Sequence, residues 1–383
     1  MITIVHVGDI QMGRSRRAAK IRSLAAVADE IEDMTAGGGA PVDVLVLAGD
    51  VYDEGHMGVT AAPEDRNAIV AFLCRVLPHV QHVVVPYGNH DLWHPSTGEG
   101  DLDELAVLAP GRIHVCARPD TFVLDLDEAD EPTRIAVAVM PYPRRGALAA
   151  VMGGEGDLMA AGRAAMAQIL TGFQTWFAEA PPDVGKLYVG HHAVAGAVTD
   201  NGQPLIGKEI EVASEDLTEL GADYYALGHI HAPQPLPGEM SLRHDHPGLE
   251  DLSPLGWLGG YAGSITTCNY GEKPNKGFAV VEMEPEKREL SMRWVPLPAP
   301  ALVTIEGRYD GERLVFDDAI LAAFREGEEV GVKLRYTVAV ADVAKARAAR
   351  AAVEQDLPEN VVECVWEPRP IAPGSGPSTV APR

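Results

Sequence analysis

Val83-Val84-Val85-Pro86-Tyr87-Gly88-Asn89-His90-Asp91 is the stretch on which the rest of the chain turns. A run of β-branched residues, suited to a buried strand, stops at a glycine turn. The turn delivers an amide, an imidazole and a carboxylate in succession. Packing alone gives no reason to spend three consecutive loop positions on such groups. Loops at the carboxyl ends of parallel strands are where α/β proteins carry their chemistry.

The same pattern recurs on both sides of this stretch. Thr3–Val7 reads as a strand ending in Gly8-Asp9-Ile10-Gln11, and Val42–Leu47 as one ending in Gly49-Asp50-Val51-Tyr52-Asp53. Further on, Ile135–Met140 leads to Pro141-Tyr142-Pro143-Arg144-Arg145. Lys186–Val189 leads to Gly190-His191-His192, and Tyr224–Leu227 to Gly228-His229-Ile230-His231. Ile21, Leu24, Ala28 and Ile31 recur at helical spacing and predict an amphipathic helix over 16–35. Ile69, Phe72, Leu73 and Val76 predict a second helix, and residues 157–179 a longer one. A helix over 99–108 and short strands near 113–115 and 121–125 complete this half, with Ser214 expected to cap a short helix ending near Gly221. Strands alternating with helices imply crossover connections and parallel pairing, so the fold class is α/β.

The rest of the chain is less regular. Residues 232–257 form a Pro-, Gly- and His-rich connection holding Arg243, His244 and His246, expected to be an exposed loop. Strands near 258–262, 277–283 and 290–296 read as a second, more antiparallel sheet. Pro296-Leu297-Pro298-Ala299-Pro300 is the best internal boundary. Beyond it, residues 301–369 read as a small α+β domain, and 370–383, rich in Pro, Gly and Ser, as a disordered tail.

Collected, the polar groups at strand ends are Asp9, Gln11, Asp50, Asn89, His90, His191, His229 and His231. Carboxylate, amide and imidazole donors without thiolates suit Mn²⁺, Fe²⁺ or Zn²⁺ better than a soft metal. Two such ions need a bridging group, which Asp50 can provide, and together they clamp a scissile phosphate. The residues therefore predict a metal-dependent hydrolase with His90 beside the reacting phosphate. Asp53 is placed to position His90, and Asp91 to hydrogen-bond the loop or orient an imidazole. Arg14, Arg16 and Arg17, at the start of the first helix, are candidate phosphate contacts, as are Arg144, Arg145, Lys273 and Lys276. Tyr87 and Trp93 are candidates for stacking on a base.

The ordered set Asp9-x-Gln11, Gly49-Asp50-x-x-Asp53, Gly88-Asn89-His90-Asp91, Gly190-His191 and Gly228-His229-x-His231 resembles the calcineurin-like metallophosphoesterases, most of all the Mre11/SbcD nucleases. Tyr261-Ala262-Gly263-Ser264 and the segment Gly271-Glu272 through Lys276-Gly277-Phe278 add to the likeness. It covers residues 1–295 well and the small domain, similar to a capping domain, more loosely. The resemblance implies a two-sheet β-sandwich flanked by helices, with two metals at one edge. Asp9, Gln11, Asp50 and His231 would hold one metal, and Asp50, Asn89, His191 and His229 the other. His90 would stabilise the transition state or protonate the leaving oxygen while an activated water attacks a DNA phosphodiester. A separately encoded coiled-coil ATPase of the SbcC/Rad50 kind is the implied partner; a homodimer is a candidate assembly. The family usually has histidine where this chain has Gln11; an amide oxygen is a poorer ligand, so that half-site is expected to be weaker.

Whole-chain properties narrow the alternatives. At 383 residues the chain has room for two domains. No run of 18 apolar residues predicts a membrane span, and the start lacks the pattern of a signal peptide. Cys74, Cys116, Cys268 and Cys364 lack ligand spacing and fit a reduced, cytoplasmic compartment. The formal charge of −25 disfavours non-specific binding to nucleic acid. It keeps two alternatives to a DNA nuclease in play: a phosphodiesterase or phosphatase for a small nucleotide-like substrate, and a non-catalytic DNA-end scaffold.

Overall fold

The computed structural model describes residues 1–53, 58–94, 97–126, 133–144, 157–199, 209–237, 258–287, 289–316 and 329–371. Arg145, the loop residues Arg243, His244 and His246, and almost all of the expected tail lie outside the described residues. The chain divides into two units. The first comprises Met1–Thr266 and Asn275–Pro298, the second Thr267–Pro274 and Ala299–Arg383.

In the first unit the elements run β1 (Ile2–Val7), α1 (Arg17–Thr35), β2 (Val42–Leu47), α2 (Pro63–Val76) and β3 (Val80–Pro86). Then come the short β4 (Trp93–His94) and β5 (Glu99–Gly100), α3 (Asp103–Leu108), β6 (Ile113–Cys116), β7 (Asp120–Leu126) and β8 (Thr133–Met140). The second half holds α4 (Leu158–Glu179), β9 (Gly185–His191), α5 (Ser214–Thr218) and β10 (Tyr224–Gly228). It closes with β11 (Gln234–Pro235), β12 (Gly259–Tyr261), β13 (Lys276–Glu284) and β14 (Glu289–Leu297).

Two six-stranded sheets result, in the orders β14-β13-β1-β2-β3-β6 and β11-β12-β10-β9-β8-β7. Alternation along the strands builds the layers. Val44 and Val46 of β2 face an inner core shared with Ile135, Val137 and Val139 of β8, and with Leu187 and Val189 of β9. Leu45 and Leu47 face outward and are covered by Leu24, Val27, Ile31, Ile69 and Phe72 of α1 and α2. On the far side, Met166, Leu170, Phe173 and Phe177 of α4 cover the second sheet. The central strands are thus apolar on both faces, as sheets with helical cover require.

Three expectations are corrected. The late strands do not form a sheet of their own: β13 pairs antiparallel with β1, and β14 with β13, while β12 pairs with β10. Their order in sequence carried no information about that long-range pairing. The predicted helix over 99–108 is a strand β5 followed by a six-residue α3. Ser214 lies inside α5 rather than capping it, and its hydroxyl donates to the Pro237 carbonyl.

The inner face holds one polar strut between the sheets. His6 of β1 is buried, with Nδ1 2.9 Å from the Tyr224 hydroxyl and Nε2 3.2 Å from the Leu227 carbonyl. Those partners suit a neutral ring that donates from Nε2 and accepts at Nδ1. Burial pushes its pKa down to about 3, against a smaller upward pull from the Leu227 carbonyl. The unfolded chain therefore takes up this proton near pH 6.5 while the folded chain does not. Stability contributed by neutral His6 is complete above that pH and falls by about 1.4 kcal/mol per pH unit below it. The expected loss is on the order of 3 kcal/mol by pH 4.5. Denaturant unfolding from pH 7 to 4.5, with the His6 ring resonances followed by NMR, checks it; a ring titrating near pH 6.5 in the folded state refutes it.

The second unit contains a four-stranded sheet in the order β16-β15-β17-β18. Its strands are β15 (Ala301–Tyr309), β16 (Leu314–Phe316), β17 (Val330–Ala339) and β18 (Val361–Ile371). Helices α6 (Val343–Ala348) and α7 (Arg350–Asp356) connect β17 to β18. Ile305, Val332 and Leu334 form one small core, and Tyr336, Val338 and Ala346 another. Among the described residues no helix is long and apolar enough to cross a membrane.

Candidate metal centre

Five parallel strand ends meet at one edge of the sandwich. Asp9 and Gln11 follow β1, Asp50 and Asp53 follow β2, and Asn89, His90 and Asp91 follow β3. From the other sheet, His191 ends β9 and His229 and His231 follow β10. Neighbouring parallel strands (β1-β2-β3 and β9-β10) run in the same direction, so their carboxyl ends gather without any further folding.

Two glycines permit the close approach. A Cβ at Gly49, where φ is +85°, would run into the His191 ring. One at Gly88 would run into the Asp50 carboxylate. Gln11, Asp50 and His229 themselves take positive φ, at 46°, 49° and 98°. Strained backbone of this kind persists where the surroundings impose it, and gathers at functional sites.

The geometry has two halves around buried carboxylates. Asp9, Asp50 and His191 are buried, and one ligand atom from each lies within 4.8 Å of the others. Asp50 Oδ1 accepts from the His90 amide at 2.7 Å and lies 3.4 Å from His191 Nε2. Asp9 accepts from the His229 amide through both oxygens, at 3.1 and 3.0 Å. Asn89 Oδ1 lies 3.1 Å from His191 Nε2 and 2.9 Å from His229 Nδ1. In the other half, Gln11 Nε2 is 3.0 Å from His231 Nε2, and His231 Nε2 is 3.9 Å from Asp9.

Charge is concentrated here. Burial opposes ionisation of both Asp50 and His191, but their mutual attraction outweighs it. Asp50 is held well below the carboxylate range, and His191 is raised to about 9. His90 is raised to about 9 as well, burial being outweighed by Asp53 and Asp50. Its Nδ1 is 2.9 Å from the Asp53 carbonyl and 3.2 Å from the Asp53 carboxylate. Asp91 is buried and ties the loop together, accepting from the Tyr52 and Gly88 amides at 2.9 and 2.8 Å. Burial and the charge of Asp50 push it up to about 7.

Several expected substrate contacts have other work. Lys276 is buried, and Nζ donates to the His231 carbonyl at 3.0 Å, so it braces that loop from behind and cannot reach a phosphate. Arg144 donates to the Gly88 and Asp91 carbonyls at 3.1 and 2.9 Å, clamping the Asn89-His90 turn. Arg17 is paired with Asp65 at 2.6 Å. Tyr87 is buried, its hydroxyl donating to Asp103 at 2.9 Å and accepting from the Leu102 amide, which excludes stacking on a base. Trp93 is half-buried against the first core. Arg14 is exposed, Arg16 half-buried, and Lys273 exposed on the loop assigned to the second unit.

Sequence reasoning missed three residues. Lys20 is buried, with its ammonium on the Gln11 carbonyl. Tyr142 lays its ring 5.6 Å from His229, centroid to centroid. Glu209 Oε2 lies 2.7 Å from His229 Nε2. Ile21 is exposed, but the apolar spacing of Leu24, Ala28 and Ile31 could have placed Lys20 beside the buried stripe; nothing local marks Glu209.

A family model described as calcineurin-like phosphoesterase matches residues 2–233. The chain belongs to that family. Among curated proteins it is 26% identical over 273 residues to the D component of the nuclease SbcCD from Bacillus subtilis, covering 69% of this chain and 65% of that protein. The protein of the same name from Rhodobacter capsulatus is 30% identical over 255 residues, covering 61% of this chain and 57% of that protein. The chain therefore spans less than two thirds of the length of either relative. A solved structure, "GAP50 the anchor in the inner membrane complex of Plasmodium", aligns over 77% of this chain and 89% of that chain, with TM-score 0.37 and 9% identity, too distant to bear on function.

Calcineurin-like phosphoesterases use divalent metals, and the donor set here fits them. His191 Nδ1 is 2.7 Å from the Ala48 carbonyl, which claims the ring proton on that side. His229 Nε2 faces Glu209, which claims the other ring's proton. With a cation bound, His191 Nε2, His229 Nδ1 and Asn89 Oδ1 would be the atoms facing it, in contacts of 3.1 and 2.9 Å beside two buried carboxylates. Oxygen and imidazole donors select a hard to borderline divalent ion.

Proposed function

We propose that this phosphoesterase hydrolyses phosphodiester bonds in DNA as the metal-dependent component of a nuclease. The observation that carries the hydrolytic part is the convergence of His191, His229 and Asn89 beside Asp9 and Asp50. Two relatives that are components of a nuclease support DNA as substrate. Asp50, Asn89, His191 and His229 would hold one ion, and Asp9, Gln11, Asp50 and His231 a second, with Mn²⁺ the best fit. Bound there, the ions supply Lewis acidity and charge neutralisation at the phosphate.

The chain's own residues do the rest. Asp53 and Asp50 keep the His90 imidazole charged near neutrality. With Nδ1 turned to Asp53, Nε2 is the nitrogen presented to the substrate, where it gives its proton to the leaving oxygen. Arg144 and Asp91 hold the turn that carries His90, so the acid does not drift from the carboxylates. The relatives are named as one part of a two-part nuclease, SbcCD, which supports a partner ATPase of the SbcC kind. The capping role of residues 301–369 belongs to the same reading.

The charge of −25 favours a second reading, hydrolysis of a small phosphodiester. One experiment separates them: Mn²⁺-dependent hydrolysis of linear duplex and single-stranded DNA beside a chromogenic phosphodiester, over a range of salt. The proposal expects DNA to be cut, a chelator to stop cutting, and turnover to fall steeply with salt. Cleavage of the small ester alone would leave the phosphoesterase and remove the nuclease.

A further inference from the structure

His229 is held through its backbone, its ring faces and both ring nitrogens. Its backbone amide donates to both oxygens of Asp9, although φ of 98° is costly for a residue with a Cβ. Tyr142 and His191 pack on the ring, at 5.6 and 5.3 Å between centroids. Nδ1 points to Asn89. The remaining nitrogen, Nε2, meets the Glu209 carboxylate at 2.7 Å.

The placement of Glu209 is built. The next residue, Ile210, is buried against α4, its Cδ1 lying over Gly162, 2.6 Å from where a Cβ would stand. Two residues on, Val212 forms a parallel bridge with Val194, the Val212 amide donating to Ala193 and the Ala195 amide to Val212. This short extended segment is thereby fixed to the loop that leaves β9, just beyond His191. A carboxylate anchored this way arrives at the ring with little entropy left to lose.

We infer that Glu209 is a positioning residue of the metal centre: it binds the proton of His229 on Nε2 and so leaves Nδ1 as the bare ligand atom aimed at Asn89. An imidazole carries one proton when neutral, and which nitrogen holds it is decided by the partner of the other. Without Glu209 the proton is free to sit on Nδ1 and donate to Asn89 Oδ1. That bond would consume a lone pair from each of two ligands at once. A carboxylate behind the ring also makes Nδ1 a stronger donor to a cation. The inference rests on the reading of this cluster as a metal centre.

The test compares Glu209→Ala and Glu209→Gln with the wild-type chain, using Mn²⁺ itself as probe. Calorimetry should show about 10- to 100-fold weaker binding in the alanine variant, the usual cost of losing an outer partner of a metal-bound histidine. Glutamine can still accept from Nε2 and should recover most of that loss. In the metal-free proteins, ¹⁵N NMR of the His229 ring should report the Nε2–H tautomer in wild type and Glu209→Gln, and a mixture in Glu209→Ala. A merely structural role would leave the tautomer unmoved. Wild-type affinity in the alanine variant overturns the inference, as does equal loss in both variants, which would make Glu209 a ligand through its charge. If the wild type binds no Mn²⁺, the metal-centre reading falls and takes this one with it.

Discussion

Replacing His90 with alanine is expected to lower kcat by about a hundred- to ten-thousand-fold, the range set by loss of a placed general acid. Metal binding and KM should change little. The backbone explains why the effect is so selective. What His90 gives to Asp50 is its main-chain amide, at 2.7 Å, and alanine keeps that bond. The turn is clamped by Asp91 and Arg144, which grip main-chain amides and carbonyls that the substitution leaves in place. The side chain is 24% exposed, so its removal opens no core cavity. What disappears is the proposed proton donor, an imidazole whose pKa is raised to about 9 by its two carboxylate neighbours against the cost of burial. Single-turnover hydrolysis under saturating Mn²⁺, beside a calorimetric count of bound ions, checks both halves. A large rise in KM, or loss of an ion, would show that His90 binds rather than donates.

Asp50→Asn should do broader damage for a different reason. Asn is the gentlest backbone substitute at φ of 49°, because it tolerates the left-handed region better than most residues. It also keeps an oxygen that can accept from the His90 amide. Only the charge is lost. Asp50 is the carboxylate that both proposed ion positions share, and it lies 3.4 Å from His191. Outer partners of metal ligands are worth about 10- to 100-fold in affinity, so loss of a shared ligand should cost more than about a hundredfold at each ion. Turnover at limiting Mn²⁺ should fall with it. Calorimetric titration with Mn²⁺, and unfolding to show that the fold persists, provide the check. Near-normal binding of two ions would remove Asp50 from the bridge.

The two variants therefore fail in different ways: one in the chemical step with the centre loaded, the other in loading. Gln11 sits between them. Its amide nitrogen is placed on His231 Nε2 at 3.0 Å, the atom that a metal in that half would need. The contrast with the histidine-rich half is physical, since an amide holds its neighbour by hydrogen bonding and offers a cation only a neutral oxygen.

Local sequence was enough to specify the parallel core of the sheets and the residues that end its strands. Both are short-range properties: apolar β-branched runs mark buried strands, and a glycine followed by Asp, Asn or His marks where burial stops and polarity is allowed. That is why Asp9, Asp50, Asn89, His191, His229 and His231 could be named from their spacing. Which charged groups face the reacting centre was settled only by tertiary packing. Lysine and arginine look the same in sequence whether solvated or buried, because a long apolar stem can be covered while the head finds a carbonyl. Lys20, Lys276 and Arg144 are spent that way, on the backbones of Gln11, His231 and the Gly88–Asp91 turn. The pairing of β13 with β1 joins opposite ends of the first unit's sequence, and Glu209 reaches His229 from 20 residues away. Such contacts are chosen by the packing of whole layers, and no window of local sequence contains the energy that selects them.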